Sequence, residues 1–209
     1  MDTIVEAIEK DGYTLTIYVD ETPDSPRNWD NIGKLYIPLP PRGYTLSDKD
    51  ANAEECKAAP VKLPVCILDH SGLAISTGSF GDPWDSWQAG YIYVTAETLK
   101  AEYLDHGYTM EKAIEAAREC IQGEIETFDD YLRGNVYGYE ITDESGVLLD
   151  SCWGYYGDSG LRDIKESFDC LLAIEKQEKA EQARRDAIEA APLFVWGGIN
   201  PETLQAVNA

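Results

Sequence analysis

With 209 residues, 44% of them hydrophobic, the chain has enough apolar material to bury the core of one domain, and wholesale disorder is excluded. Its 39 acidic against 17 basic residues leave a net charge of −22, which argues against direct nucleic-acid binding: neutralising phosphates takes clustered Lys and Arg, and the nearest approach to a cluster is the pair Arg184 and Arg185. No apolar run reaches the roughly 18 to 20 residues that span a bilayer, the opening MDTIVEAIEKDG has acids where a signal peptide has basic residues, and five scattered cysteines (Cys56, Cys66, Cys120, Cys152 and Cys170) include no C-x-x-C pair; a cytoplasmic protein with free thiols and no membrane contact is expected.

In chain order, the first clear element is a strand at 13–21 (YTLTIYVDE), where Tyr, Thr, Ile and Val alternate as a half-buried strand requires. The turn-rich TPDSPRNWDNIG follows, then KLYIPLP as a short strand whose prolines place it at an edge or end it early. SDKDANAEECKAA reads as a short helix capped by Ser47 and closed by Pro60. LPVCILD and LAISTGS flank HSG as the arms of a tight hairpin with Gly72 at its turn. GYIYVT is a further strand, after which Thr95 caps a short helix that ends near Gly107.

Thr109 opens the clearest helix. Apolar residues at 113, 114, 117, 121, 125, 128 and 132 trace one stripe, while Glu111, Glu115, Glu119, Glu126 and Asp130 lie largely away from it. Gly134 ends this helix, and NVYGYEI and VLLDSCW, separated by TDESG, form a second hairpin. From Leu161 another long helix runs toward Ala191, with Ile164, Phe168, Leu171 and Leu172 as an apolar stripe followed by a half that is polar nearly all round. Pro192 stops it before the tail LFVWGG. The expected class is α+β, an antiparallel sheet of short strands and hairpins packed by two long helices. Residues 1–160 form the expected core domain, 161–191 a helix packing on it, and 192–209 an apolar tail that docks back or contacts another chain through Phe194 and Trp196.

Among stretches that resemble sites, DSCWGYYGD (150–158) stands first. A thiol nucleophile needs a base, and of the two histidines His106 ends a charged helix, which leaves His70 in LDHSG as the one partner for Cys152, with Asp69, Asp85, Asp150 or Asp158 to orient it. That Cys/His hydrolase is the alternative reading. The preferred one treats Cys152, next to Trp153 and after the apolar VLL, as core filling, with Gly154 and Gly157 letting Tyr155 and Tyr156 turn across the end of the sheet. Two segments echo each other, Trp29-Asp30-Gly33-Tyr36 and Trp84-Asp85-Gly90-Tyr93, and each aspartate is expected to cap a turn by accepting backbone N–H bonds. Cys66 and His70 share a strand face but are only two ligands, the aspartates lack D-x-D spacing, and no phosphate-cradling glycine motif occurs, so neither metal nor cofactor is expected.

Taken together, YTLTIYVDETPDSPRNWDNIG, LDHSGLAISTGSFGDPWDSWQAGYIYVT, IETFDDYLRGNVYGYEI and DSCWGYYGD resemble successive blocks of a widespread family of phage and mobile-element accessory proteins with no settled activity. The resemblance covers roughly residues 13–158. The chain departs from that family's pattern at Trp87, where glycine is more usual, and at KLYIPLPPRGYTL, where a different, often histidine-containing segment is usual. The resemblance implies a mobile-element origin. Joined to the negative charge, it leads to the expectation of a protein that binds and inhibits a host protein carrying a basic nucleic-acid groove, of the anti-CRISPR or anti-restriction type, through Glu111, Glu115, Glu119, Glu126 and Asp130. Solubility alone is the plainer account of the same charge.

Overall fold

The computed structural model describes residues 3–190. Of these, residues 3–166 belong to one compact unit and 167–190 to a second. The first unit carries two four-stranded antiparallel sheets and the start of a long helix, an α+β fold. Phe194 and Trp196, with the rest of the expected tail, lie outside the described residues.

The first sheet has the order β1-β2-β7-β8, with β1 Ile4–Lys10, β2 Tyr13–Val19, β7 Val136–Asp143 and β8 Leu148–Tyr156. Strand β2 alternates as its sequence requires, placing Tyr13, Leu15 and Ile17 inside. Leu15 and Ile17 pair across with Ile141 and Tyr139 of β7, which are buried with them. Asp11 and Gly12, both at positive φ, close the β1–β2 turn. Strand β1 was not expected: as an exposed edge strand of sequence IVEAIEK, it has no buried alternate row to display in its sequence.

The second sheet has the order β3-β6-β4-β5, with β3 Lys34–Tyr36, β4 Val61–Asp69, β5 Leu73–Ser76 and β6 Ser86–Val94. The expected hairpin around Gly72 is the β4–β5 pair, and Gly90 lets β6 pass against the β3 backbone, where a Cβ would stand 2.0 Å from the Tyr36 carbonyl oxygen. Helix α1 (Ala53–Ala58) is capped by the Asn52 side chain, and not by Ser47, whose hydroxyl is held by the backbone of Ile37. Thr95 caps α2 (Ala96–Glu102) as expected, and Thr109 caps α3 (Met110–Arg133), which ends at left-handed Gly134. Helix α3 lays Ala113, Ala117, Ile121, Ile125 and Phe128 on this sheet, against Val65, Ile67, Ile75 and Ile92, to form the main core.

One polar cluster crosses that core's rim. Arg27, in a single 3-10 turn (Pro26–Asn28), has a side chain only 9% exposed. It donates to both carboxylate oxygens of Asp48, to Glu124 of α3 at 3.0 Å and to the Gly33 carbonyl at 2.6 Å. Glu124 also accepts the backbone N–H groups of Ile32 and Gly33, and Asp48 accepts that of Leu35 at 2.7 Å. Burial alone penalises the guanidinium, yet Asp48 and Glu124 outweigh it and hold the Arg27 pKa above its ordinary value. Burial pushes the Glu124 carboxyl up, while Arg27 and the two N–H donors pull it back. Gly33 permits this closeness, since a Cβ there would press at 2.8 Å on Glu124, Ile121 and Ile92.

Helix α4 (Gly157–Ala190) starts four residues earlier than the expected Leu161. Within the second unit, residues 176–189 are exposed and carry helical-turn pairs such as Arg185 to Glu181 at 2.6 Å. Among the described residues no helix is long and apolar enough to cross a membrane.

Removing one member of the buried cluster leaves a desolvated charge without its partner. Arg27→Ala should cost about 3–5 kcal/mol in urea unfolding, and Glu124→Gln, which keeps an oxygen for the two N–H donors, about 1–3 kcal/mol. Losses below about 0.5 kcal/mol for both, the range of ordinary surface changes, would contradict the assignment.

Candidate binding surface

The stretch DSCWGYYGD forms most of β8, the edge strand beside β7, and the first turn of α4. Its register is broken once at Gly154: Trp153 pairs with Gly138 and Tyr155 with Tyr137, so Gly154, at φ +84°, is the extra residue of a bulge. Gly138 in turn pairs with Tyr18 of β2, which puts Tyr18, Gly138 and Trp153 in one row across three strands. The glycine leaves room for the indole, because a Cβ on Gly138 would sit 2.1 Å from the Trp153 ring. Trp153 therefore lies over β7 and stacks on Tyr18, ring centroids 5.9 Å apart and planes 26° apart.

Trp29 stands edge-on to Tyr156 with ring centroids 5.1 Å apart. The Tyr156 hydroxyl donates to the Asp24 carbonyl, which ties the β2-to-Pro26 loop to the end of β8. Trp29, Trp153, Gly154 and Tyr156, with the loop Val19–Asp24, line an open cleft of about 660 Å³, within the range of small-ligand sites. Both tryptophans are fixed by ring contacts yet remain 48% and 44% exposed. Three carboxylates, Asp20, Glu21 and Asp24, belong to the lining, and no Lys, Arg or His among the described residues does. Burial, then the charges of Asp20 and Asp24, push the Tyr156 phenol above its ordinary value. Sequence reasoning singled out Trp29, Trp153 and Tyr156 but passed over the acids; their signal was the run VDETPD directly after a strand.

Cys152 is exposed, contrary to its expected role as core filling. It sits opposite Tyr139, on the face that buries Ile17, but β8 is an edge and its side chains have no further strand beside them. Its sulfur meets the Trp153 carbonyl at 3.8 Å and interacts with Tyr155. Tyr139 donates to Asp150 at 2.7 Å, and burial together with that bond pushes its phenol well above the ordinary range. His70 lies in the other sheet, at the β4–β5 turn, where its Nδ1 meets Asp85 at 2.7 Å; Asp69, the last residue of β4, pairs with Leu73. The structure thus joins His70 to Asp85 and places no hydrogen bond between His70 and Cys152.

The two echoed segments fold differently. Asp82, not Asp85, accepts the N–H groups of Trp84 and Asp85, and the Asn31 side chain, not Asp30, bridges the carbonyls of Pro26 and Trp29. The aspartate two or three residues ahead of the N–H groups is the one that can reach them, which is why Asp82 takes the role. Trp84 is 90% exposed, whereas Trp29 rests against Tyr156. Trp87 donates its indole N–H to the Leu39 carbonyl at 2.9 Å.

On α3, Glu111, Glu115, Glu119 and Glu126 are exposed, as expected of the outer face. Glu126 accepts from Gln122 at 3.0 Å, and Asp130 is not part of that exposed row: it is half-buried, accepts from Asn135 at 3.4 Å and leaves no room for a Cβ on Gly157 at the start of α4. Burial, with Asp129 and Asp158 nearby, pushes its carboxyl up. Among the described residues no group of three or more His, Cys, Asp or Glu side chains is placed to hold a metal ion.

Two outcomes follow. Gly138→Ala should displace the Trp153 ring, costing about 1–3 kcal/mol and shifting tryptophan emission; unchanged emission and unchanged stability would sink the packing argument. Asp130 holds its proton more tightly folded than unfolded, so its favourable contribution is present below the unfolded pKa and is lost as pH rises through the raised folded one. Asp130→Asn should therefore raise the melting temperature at pH 7 and lose that gain below the ordinary carboxylate range of about 4; an equal gain at both pH values would be inconsistent with a raised carboxyl.

Comparison with protein-family models, with curated proteins and with solved structures returned no match in any of the three.

Proposed function

We propose that the chain is an acidic accessory protein of phage or mobile-element type that works by binding, occupying the basic nucleic-acid groove of a host protein and inhibiting it. The observation that carries this reading is the row of Glu111, Glu115, Glu119 and Glu126, all exposed and none in an ion pair among the described residues. Of the exposed basic residues of the same helix, Arg133 pairs with Asp129, and neither it nor Lys112 nor Arg118 is in an ion pair with any of the four glutamates among the described residues. At about 1.5 Å of rise per residue, the first three carboxylates recur every ~6 Å, on a helix whose opposite face is committed to the core. Duplex DNA presents a charge every ~1.7 Å of its axis, so this helix alone is sparser than a duplex. The remainder of the −22 charge supports steering toward a basic partner over many ångströms at low salt.

The test is capture from a host lysate at low and at high salt by the wild-type protein and by the variant with Glu111, Glu115, Glu119 and Glu126 all changed to Gln. A nucleic-acid-binding host protein should be retained at low salt and shed at high salt, and wild type should displace its nucleic acid at least tenfold more effectively than the variant. Capture that is insensitive to salt and to the four substitutions would overturn the groove-occupying reading.

A further inference from the structure

We propose that the cleft between Trp29 and Trp153 is a receptor for one arginine side chain of a partner polypeptide. The proposal rests on the reading that the protein acts by binding a basic protein, and it names a second contact, separate from the outer row of α3.

Three features of the cleft point to this occupant. Its walls are aromatic faces held in place before any ligand arrives: Trp153 by Tyr18 and the missing side chain of Gly138, Trp29 by Tyr156. Keeping two such rings nearly half exposed leaves apolar surface in water, and a ligand that covers them recovers it. Its mouth is negative, with Asp20, Glu21 and Asp24 in the lining and no basic residue among the described ones to neutralise them. The Asp20 carboxylate already accepts the Thr22 N–H at 3.1 Å, which leaves the exposed Glu21 and Asp24 as the freer acceptors.

Charge and ring faces together select an organic cation. A bare metal ion wants several converging oxygens and gains nothing from indole, and these acids are not placed to hold one. A guanidinium is planar, weakly hydrated, stacks on aromatic faces and offers paired N–H donors to a carboxylate. Lysine has the charge without the plane or the fork. The aliphatic stem of arginine would cover indole carbon while its head reaches Glu21 or Asp24.

The experiment titrates the intact protein with the peptide Ac-Gly-Arg-Gly-NH2, its citrulline counterpart, which has the same shape without the charge, and its lysine counterpart. The readout is the two indole N–H resonances, assigned with Trp29→Phe and Trp153→Phe. The arginine peptide should shift both resonances and bind at least fivefold more tightly than either counterpart. Trp153→Leu should weaken it about fivefold, and Glu21→Gln with Asp24→Asn, both exposed and hence tolerable to the fold, about tenfold. Substituting the four α3 glutamates should change its affinity less than twofold. No shift with arginine, equal binding of citrulline, or equal binding of lysine overturns the proposal. Failure here with salt-sensitive host capture intact leaves the α3 reading standing; peptide binding without host capture removes that reading and leaves the arginine site.

Discussion

A single guanidinium organises the larger part of this molecule. Arg27 reaches Asp48, Glu124 and the Gly33 carbonyl at once, and the two acids in turn hold the backbone N–H groups of Ile32, Gly33 and Leu35. Four pieces of chain, the Pro26 turn, the approach to β3, the 47–50 loop and, 97 residues from Arg27 at Glu124, α3, are thereby fixed to one another. Their position has consequences on both sides. Inward, the cluster seats α3 on the second sheet; outward, Trp29 follows two residues after Arg27 and is delivered against Tyr156, where it becomes a wall of the cleft. Ion pairs of this burial are poor sources of net stability compared with apolar packing, but they are selective, since each alternative arrangement strands a charge.

The parts of the fold that sequence reasoning reached are those with a strong local period. Helix α3 was legible because five buried residues recur at three and four while its caps, Thr109 and Gly134, stand at its ends. The two hairpins were legible through their turn residues. Strand β1 was not, because an edge strand with no fully buried residue has little period to display. Nor was the division into two sheets, which depends on β2 pairing with β7 across more than a hundred residues. The cap of α1 was misplaced because Ser47 and Asn52 are equally good capping residues by type, and only the Ile37 backbone decides that Ser47 is engaged elsewhere.

The same reasoning applies to the sites. Glu124 was invisible as a hub since it sits one residue before Ile125, inside the apolar stripe, and a search for acids on the outer face passes over it. Cys152 was read as core filling from its residue type and its apolar neighbours, but it is exposed because it lies on an edge strand, and position at a sheet edge is set by strand order. The cleft was half legible. Its tryptophans stood out by type, but the row that lays Trp153 across Gly138 onto Tyr18 needs a register over three strands, which no local window contains.

In the first sheet every break in register falls in an outer pair, one between β1 and β2 and two between β7 and β8, while the central β2–β7 ladder is unbroken. The second sheet ends instead in very short strands, three residues in β3 and four in β5. Kinked or truncated borders of this kind make poor templates for a further strand. Leu148, Leu149 and Trp153 stay uncovered along β8, so what opposes the addition of a further strand there is the kinked course of its backbone and not a covering element.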